Sequence, residues 1–354
     1  MCRLTVRALL FAILLAASIN ASAQIYVQTN LVSDIPGQAP TTDHLLVNPW
    51  GIVRSATSPW WVADNETGVS TIYNGAGIPA QNPPGTQFVV NMPASPSGGG
   101  NSSPTGIVFN GGTAFGGARF IFAAEDGTIS AWNPAVNAFN AVQKVNHSST
   151  AIYKGLAIAL FNGANYLYAA DFHGGGVEVF DTNFNPFSFS PTAFKDSTLP
   201  EGYAPFNVQA LGNAMVVTFA KQDDEKEDEV AGNGFGFVDI FTLNGNLTMR
   251  LQHGPWMNAP WGAALAPSNF GELSNSLLIG NFGSGLIAAF NPATGAFESF
   301  LKQSPGAPMK INGLWGIGFG NGHLSGPQNV LYFAAGPDEE THGYYGKIVF
   351  HPEE

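Results

Sequence analysis

The chain has 354 residues, with 13 Lys and Arg against 25 Asp and Glu, a formal net charge of -12, and 45% hydrophobic residues. A chain this long with 12% aromatic residues can bury a large core, which excludes a disordered protein. So few cations cannot assemble the Lys and Arg cluster that phosphate-backbone binding requires, and no nucleic-acid partner is expected.

At the start, Arg3 and Arg7 are followed by the apolar run Ala8 to Ala17 and then by Ala21-Ser22-Ala23 before Gln24. This order reads as an export signal over 1-23, with a single domain over 24-354. The run is too short to span a membrane, so no transmembrane segment is expected in the mature chain. Cys2 is the only cysteine, and it precedes the apolar run instead of marking a cleavage point, so a lipid-anchored terminus is not expected. The processed chain would lack disulfides and thiolate chemistry, and the expected location is exported, secreted or periplasmic.

A block then recurs about every fifty residues. Its copies are Asn48-Pro49-Trp50-Gly51, Ser103-Pro104-Thr105-Gly106, Tyr153-Lys154-Gly155, Ala204-Pro205-Phe206-Asn207, Ala259-Pro260-Trp261-Gly262 and Leu314-Trp315-Gly316. Each leads into an apolar stretch: Trp60 to Asp64, Phe120 to Glu125, Tyr166 to Asp171, Met215 to Ala220, Leu277 to Asn281 and Val330 to Gly336. A third stretch follows a Gly-rich turn: Val69 to Tyr73, Thr128 to Trp132, Val177 to Phe180, Phe237 to Phe241, Leu286 to Phe290 and Lys347 to Phe350. Runs of four to seven residues rich in Val, Ile, Phe and Tyr and bounded by Gly, Asn and Pro predict strands.

Five units carry a fourth strand: Gln87 to Asn91, Phe139 to Val145, a less regular Phe187 to Phe194, Leu247 to Leu251 and Phe297 to Leu301. The sixth unit lacks one, whereas Ile25 to Val32 alternates as a strand and precedes the first unit. The fold class expected is therefore all-β, a six-bladed β-propeller with four-stranded blades, the last blade completed by the N-terminal strand. The repeated glycines fit a close approach near a narrow axis.

Polar residues recur just after the second strand: Asp64-Asn65, Glu125-Asp126, Asp171, Asn281 and Asp338. These suit turns, where Asp and Asn accept bonds from nearby N–H groups, and they also suit an oxygen-ligated Ca²⁺. The metal reading takes Asp64, Glu125, Asp171 and Asn281 as ligands. Ca²⁺ is the one cofactor the residues suggest, and none is required. His173 is a possible base in a glycine-rich turn, and Trp50, Trp261 and Trp315 read first as core. The acidic run Asp223 to Glu229 is expected to be solvated unless cations neutralise it. No zinc motif, nucleophile elbow, P-loop or dinucleotide fingerprint is present.

The repeats, with Val62-Ala63-Asp64-Asn65 and Leu314-Trp315-Gly316-Ile317, resemble an uncharacterised family of secreted bacterial proteins with NHL- and YVTN-like propeller blades. That resemblance implies the propeller and assigns no reaction. The leading expectation is a non-catalytic exported scaffold that binds an unidentified extracytoplasmic ligand or protein. The alternative is a Ca²⁺-dependent hydrolase or lactonase with its site at the central channel.

Overall fold

The computed structural model describes residues 25–304 and 306–352. The expected export signal over 1-23 lies outside the described residues. Among the described residues six blade sheets follow the order of the sequence repeats, five of them each from a consecutive stretch of chain, and a small two-stranded sheet, Lys302–Ser304 with Ala307–Pro308, stands beside them. The innermost strands of the blades are Pro49–Val53, Pro104–Phe109, Tyr153–Phe161, Tyr203–Leu211, Pro260–Leu265 and Leu314–Phe319. Each touches the next, and the last touches the first, so the ring is closed.

Closure falls on the last blade. Ile25–Ser33 pairs antiparallel with Tyr344–His351, with Val27 opposite Val349, and supplies the outer strand that the C-terminal unit lacks. A two-residue strand, Thr41–Thr42, extends that sheet to five strands. In the third unit the outer strand is only Pro186–Phe187, so the strand expected over Phe187 to Phe194 is present at its first residue alone.

Each blade buries residues on both sheet faces, and six apolar clusters lie between neighbouring blades. Ile72, Trp61, Phe120 and Trp132 join blades one and two, for example, while Phe241, Tyr168 and Val217 join blades three and four. A fully buried side chain of this size stabilises by about 1.5 to 3 kcal/mol relative to exposure, so repeating the interface holds the ring without disulfides.

A seventh cluster lies on the axis: Trp50, Phe172, Phe206, Trp261 and Trp315. Trp315 stacks on Trp50 at 3.6 Å between ring centroids and on Phe282 at 3.9 Å. The core role read for the three repeat tryptophans holds.

The ring glycines face their neighbours' backbones. A Cβ on Gly51 would stand 2.6 Å from the Thr105 carbonyl oxygen, and one on Gly316 would stand 2.6 Å from that of Trp50. In blade four Asn207 takes this position. It turns its amide to use, donating from Nδ2 to the Trp261 carbonyl at 2.8 Å.

Two stability predictions follow from this packing. Gly106→Ala, whose Cβ would meet the Leu156 backbone nitrogen, should lower the urea unfolding midpoint by the equivalent of about 1–3 kcal/mol, while Gly112→Ala, which has open space, should leave it unchanged. Equal midpoints for the two would show that the axis tolerates a methyl group. Deleting 25–33 should lower the melting temperature and broaden the transition, because it uncovers the 344–351 strand and removes buried Tyr26, Leu31 and Val32. An unchanged melt would refute closure as a source of stability.

Candidate functional site at the channel mouth

The turns between second and third strands, and the loops entering the innermost strands, share one face, because Pro49 pairs with Asp64 and Pro260 with Asn281. Residues far apart in sequence meet there. The innermost-strand position held by Trp50, Phe206, Trp261 and Trp315 is Thr105 in blade two and Lys154 in blade three. Lys154 is 1% exposed, and its Nζ lies 5.2 Å from the centroid of the Trp50 ring.

Lys154 Nζ donates to Glu125 Oε1 at 2.6 Å and to Asp228 Oδ1 at 2.9 Å. Glu125 belongs to the second-to-third-strand turn of blade two and Asp228 to that of blade four. The bonding continues around the axis. Asn65 Nδ2 donates to Glu125 Oε2 at 2.8 Å, Asn48 Nδ2 donates to Asn65 Oδ1 at 3.4 Å and to Glu340 Oε2 at 2.5 Å, and Trp315 Nε1 donates to Asn48 Oδ1 at 3.0 Å. Blades six, one, two, three and four are thus tied into one polar arc. Beneath it, a cavity of about 230 Å³ lined by residues such as Gly51, Gly106, Leu156 and Gly316 occupies the channel.

Burial by itself would push the Lys154 ammonium down, but Glu125, Glu229 and Asp228 together hold it above its usual range. The carboxyls shift in the opposite sense. Burial raises Glu229 to about 8 although Lys154 pulls it back, and burial raises Glu340 to about 7 although the Asn48 bond opposes the shift. A buried cation and two half-buried acids titrating near neutrality therefore share the mouth.

Of the four residues expected to bind Ca²⁺, only Glu125 reaches this arc. Asp64 is fully buried and accepts the Thr71 N–H at 2.8 Å; burial drives its carboxyl well above the usual range. Asp171 accepts from Ile152 N–H at 3.1 Å and Gly174 N–H at 2.9 Å. Asn281 accepts from Asn258 N–H at 2.9 Å. Each holds its own blade's turn, and among the described residues no three His, Cys, Asp or Glu side chains gather as for a metal. His173 lies exposed in its turn.

The acidic run is likewise placed differently from a free loop. Asp224 to Glu227 are exposed, but Asp228 folds back onto Lys154 and Glu229 is half-buried beside it. The neutralising cation is a side chain of another blade, which local sequence does not show. Lys154, Glu229 and Glu340 were not read as site residues, and the available signal was the departure of Tyr153-Lys154-Gly155 from the Pro-aromatic-Gly form.

Two proteins of Acanthamoeba polyphaga mimivirus are similar to this chain. Uncharacterised protein R648 is 31% identical over 332 residues, covering 90% of this chain and 78% of its own length. Uncharacterised protein L690 is 31% identical over 333 residues, covering 90% and 84%. The chain belongs to their family. No family model matches it. The resemblance to a secreted bacterial family is corrected by these viral relatives; blade geometry imposes the same glycines and short strands whatever the source, so the motifs identified the architecture and not the lineage.

Solved structures share the fold at low identity. A protein of unknown function from Bacteroides thetaiotaomicron superposes with a TM-score of 0.56 at 11% identity, covering 93% of this chain and 76% of that one. Virginiamycin B lyase from Staphylococcus aureus superposes with a TM-score of 0.52 at 14% identity, covering 92% and 99%. Among the described residues no helix is long and apolar enough to cross a membrane.

The raised acids make stability depend on pH. Glu229 binds its proton more tightly in the folded chain, at about 8, than at its ordinary value of 4.5, so over that window the folded state holds more protons. Unfolding free energy then falls as pH rises from about 4.5 to about 8, where only the unfolded chain has released the proton, and levels off above, where both states have released it. Glu229→Gln should therefore show a shallower decline of melting temperature between pH 5 and 8 than the unsubstituted chain. Parallel declines would show that Glu229 does not titrate there.

Proposed function

We propose that the chain is a hydrolase acting on an ester or lactone carbonyl at the mouth of the central channel, with Lys154 providing the positive charge. The observation that carries this reading is the Lys154 ammonium, buried on the axis between Glu125 and Asp228 and over the Trp50 ring. A scaffold that only binds has no need to hold a buried cation beside two acids raised toward neutrality, and so the catalytic alternative is favoured over the non-catalytic one. The fold itself selects no reaction.

The roles follow from the titrations. Glu340, at about 7 and oriented by Asn48, is substantially ionised at neutral pH and takes a proton from the attacking water. The carbonyl π electrons move to oxygen, and the Lys154 ammonium stabilises that oxyanion in a site of low polarity. Glu229, at about 8, remains mostly protonated and gives its proton to the departing alkoxide. One water is consumed and the acyl C–O bond breaks, giving an acid and an alcohol from an ester or one hydroxy acid from a lactone, and the proton on Glu340 returns to Glu229 through solvent.

A panel of p-nitrophenyl esters and γ- and δ-lactones tests the reading. At least one should turn over with a bell-shaped kcat/KM profile peaking between about pH 7 and 8, rising as Glu340 ionises and falling as Glu229 loses its proton. Glu340→Gln should lower kcat by about 10² to 10⁴ and remove the acidic limb. Turnover of no substrate in the panel, or full activity in Glu340→Gln, would refute it.

A further inference from the structure

Lys154 and its two carboxylate partners differ in exposure in a way that the salt bridges alone do not require. The Lys154 side chain is 1% exposed and Glu125 is 28% exposed, whereas Asp228 is 74% exposed. One side of the ammonium is thus closed by the ring and the other by a carboxylate whose back is open to solvent.

The loop that carries Asp228 is secured at its base. Gln222 Nε2 donates to the Phe172 carbonyl at 2.6 Å, Gln222 N–H to Gly202 and Val230 N–H to Lys221. Beyond that base its bonds are internal: Asp223 N–H donates to the Asp228 carbonyl, and Glu227 N–H to Asp223 Oδ1. The Asp228 carboxylate is what joins the outer loop to Lys154. A second feature lies on the floor of the site, where the buried Trp50 indole N–H has no hydrogen-bond partner among the described residues. A donor left without an acceptor at such depth costs about 1–3 kcal/mol, and a ligand oxygen or a water would relieve it.

We infer that Asp228 holds the place of a ligand carboxylate, and that a small monocarboxylate with an apolar tail displaces it from Lys154 when the loop moves out. Its identification as the acid product of the reaction rests on the hydrolase reading. The exchange is neutral in charge: one carboxylate leaves the ammonium and another arrives, with Glu125 unchanged. A dianion such as phosphate would add charge beside Glu125, Glu229 and Glu340 and is disfavoured. The aromatic floor of Trp50 and Phe172, whose rings lie 5.2 and 6.0 Å from Lys154 Nζ, suits an acyl chain next to the carboxylate. The loop then regulates occupancy, because a ligand that binds only the open form loses apparent affinity in proportion to the time the loop is closed.

Calorimetric titration of the full chain with sodium butyrate, against sodium chloride at equal ionic strength, tests this. Asp228→Ala truncates an exposed side chain and should bind butyrate about tenfold more tightly than the unsubstituted chain, as expected if the loop is closed about nine-tenths of the time. Asp224→Ala, on the same loop but exposed and away from Lys154, should change the affinity less than about twofold, since exposed charges are screened. Butyrate heats no larger than those of chloride in Asp228→Ala, or the same gain in both variants, would overturn the inference. Butyrate binding that follows this pattern without turnover of any ester would sink the hydrolase and keep the carboxylate site. Turnover accompanied by equal butyrate affinity in Asp228→Ala and the unsubstituted chain would do the reverse.

Discussion

The structure depends on how closely six innermost strands can approach one axis. At the contact points a side chain would collide with a neighbour's backbone, as at Gly51 against Thr105 and Gly316 against Trp50. The spacing is therefore set by backbone atoms, and whatever side chain precedes each ring glycine is delivered to the axis. In four blades that residue is aromatic, and the resulting stack of Trp50, Trp315, Trp261 and Phe206 fills the channel end. Blade four departs from the glycine without opening the ring, since the Asn207 amide replaces the lost contact with a hydrogen bond to Trp261.

Placing a lysine in this series has large electrostatic consequences. Removing an ammonium from water is costly unless carboxylates and hydrogen bonds replace the lost hydration. Glu125 and Asp228 do so here, and the Trp50 ring takes the remaining side. The same burial works against the acids around it, leaving Glu229 and Glu340 raised toward neutral pH. Lys154 thus explains why Asp228 is drawn inward, while burial, which Lys154 opposes, raises Glu229 and Glu340.

The viral relatives align with 90% of this chain, and solved structures share its architecture at identities too low to carry residues across. Asp64, Asp171 and Asn281, the residues expected to ligate Ca²⁺ with Glu125, are acceptors for backbone N–H groups of their own blades. Turn geometry and ion ligation call on the same residue types at the same repeat position, and only the direction of the oxygen lone pairs separates them.

Periodicity alone determined the all-β class, the number of blades and the closure by a strand over Ile25 to Val32, because strand alternation and glycine spacing are local constraints that each repeat states again. The second-strand spans Trp60–Asp64 and Leu277–Asn281 are legible for that reason. The site was only partly legible. Glu125 stood out by its repeat position, while Lys154 showed only as an irregular copy and the run Asp223 to Glu229 looked like a solvated loop. Nothing local joins Lys154 to Asp228 or Glu340, since they lie on different blades and meet only after the ring closes. The charge partner of each, and with it the protonation of the whole mouth, was decided by tertiary structure, because Coulomb energy and desolvation depend on distance and burial in space and not on separation along the chain.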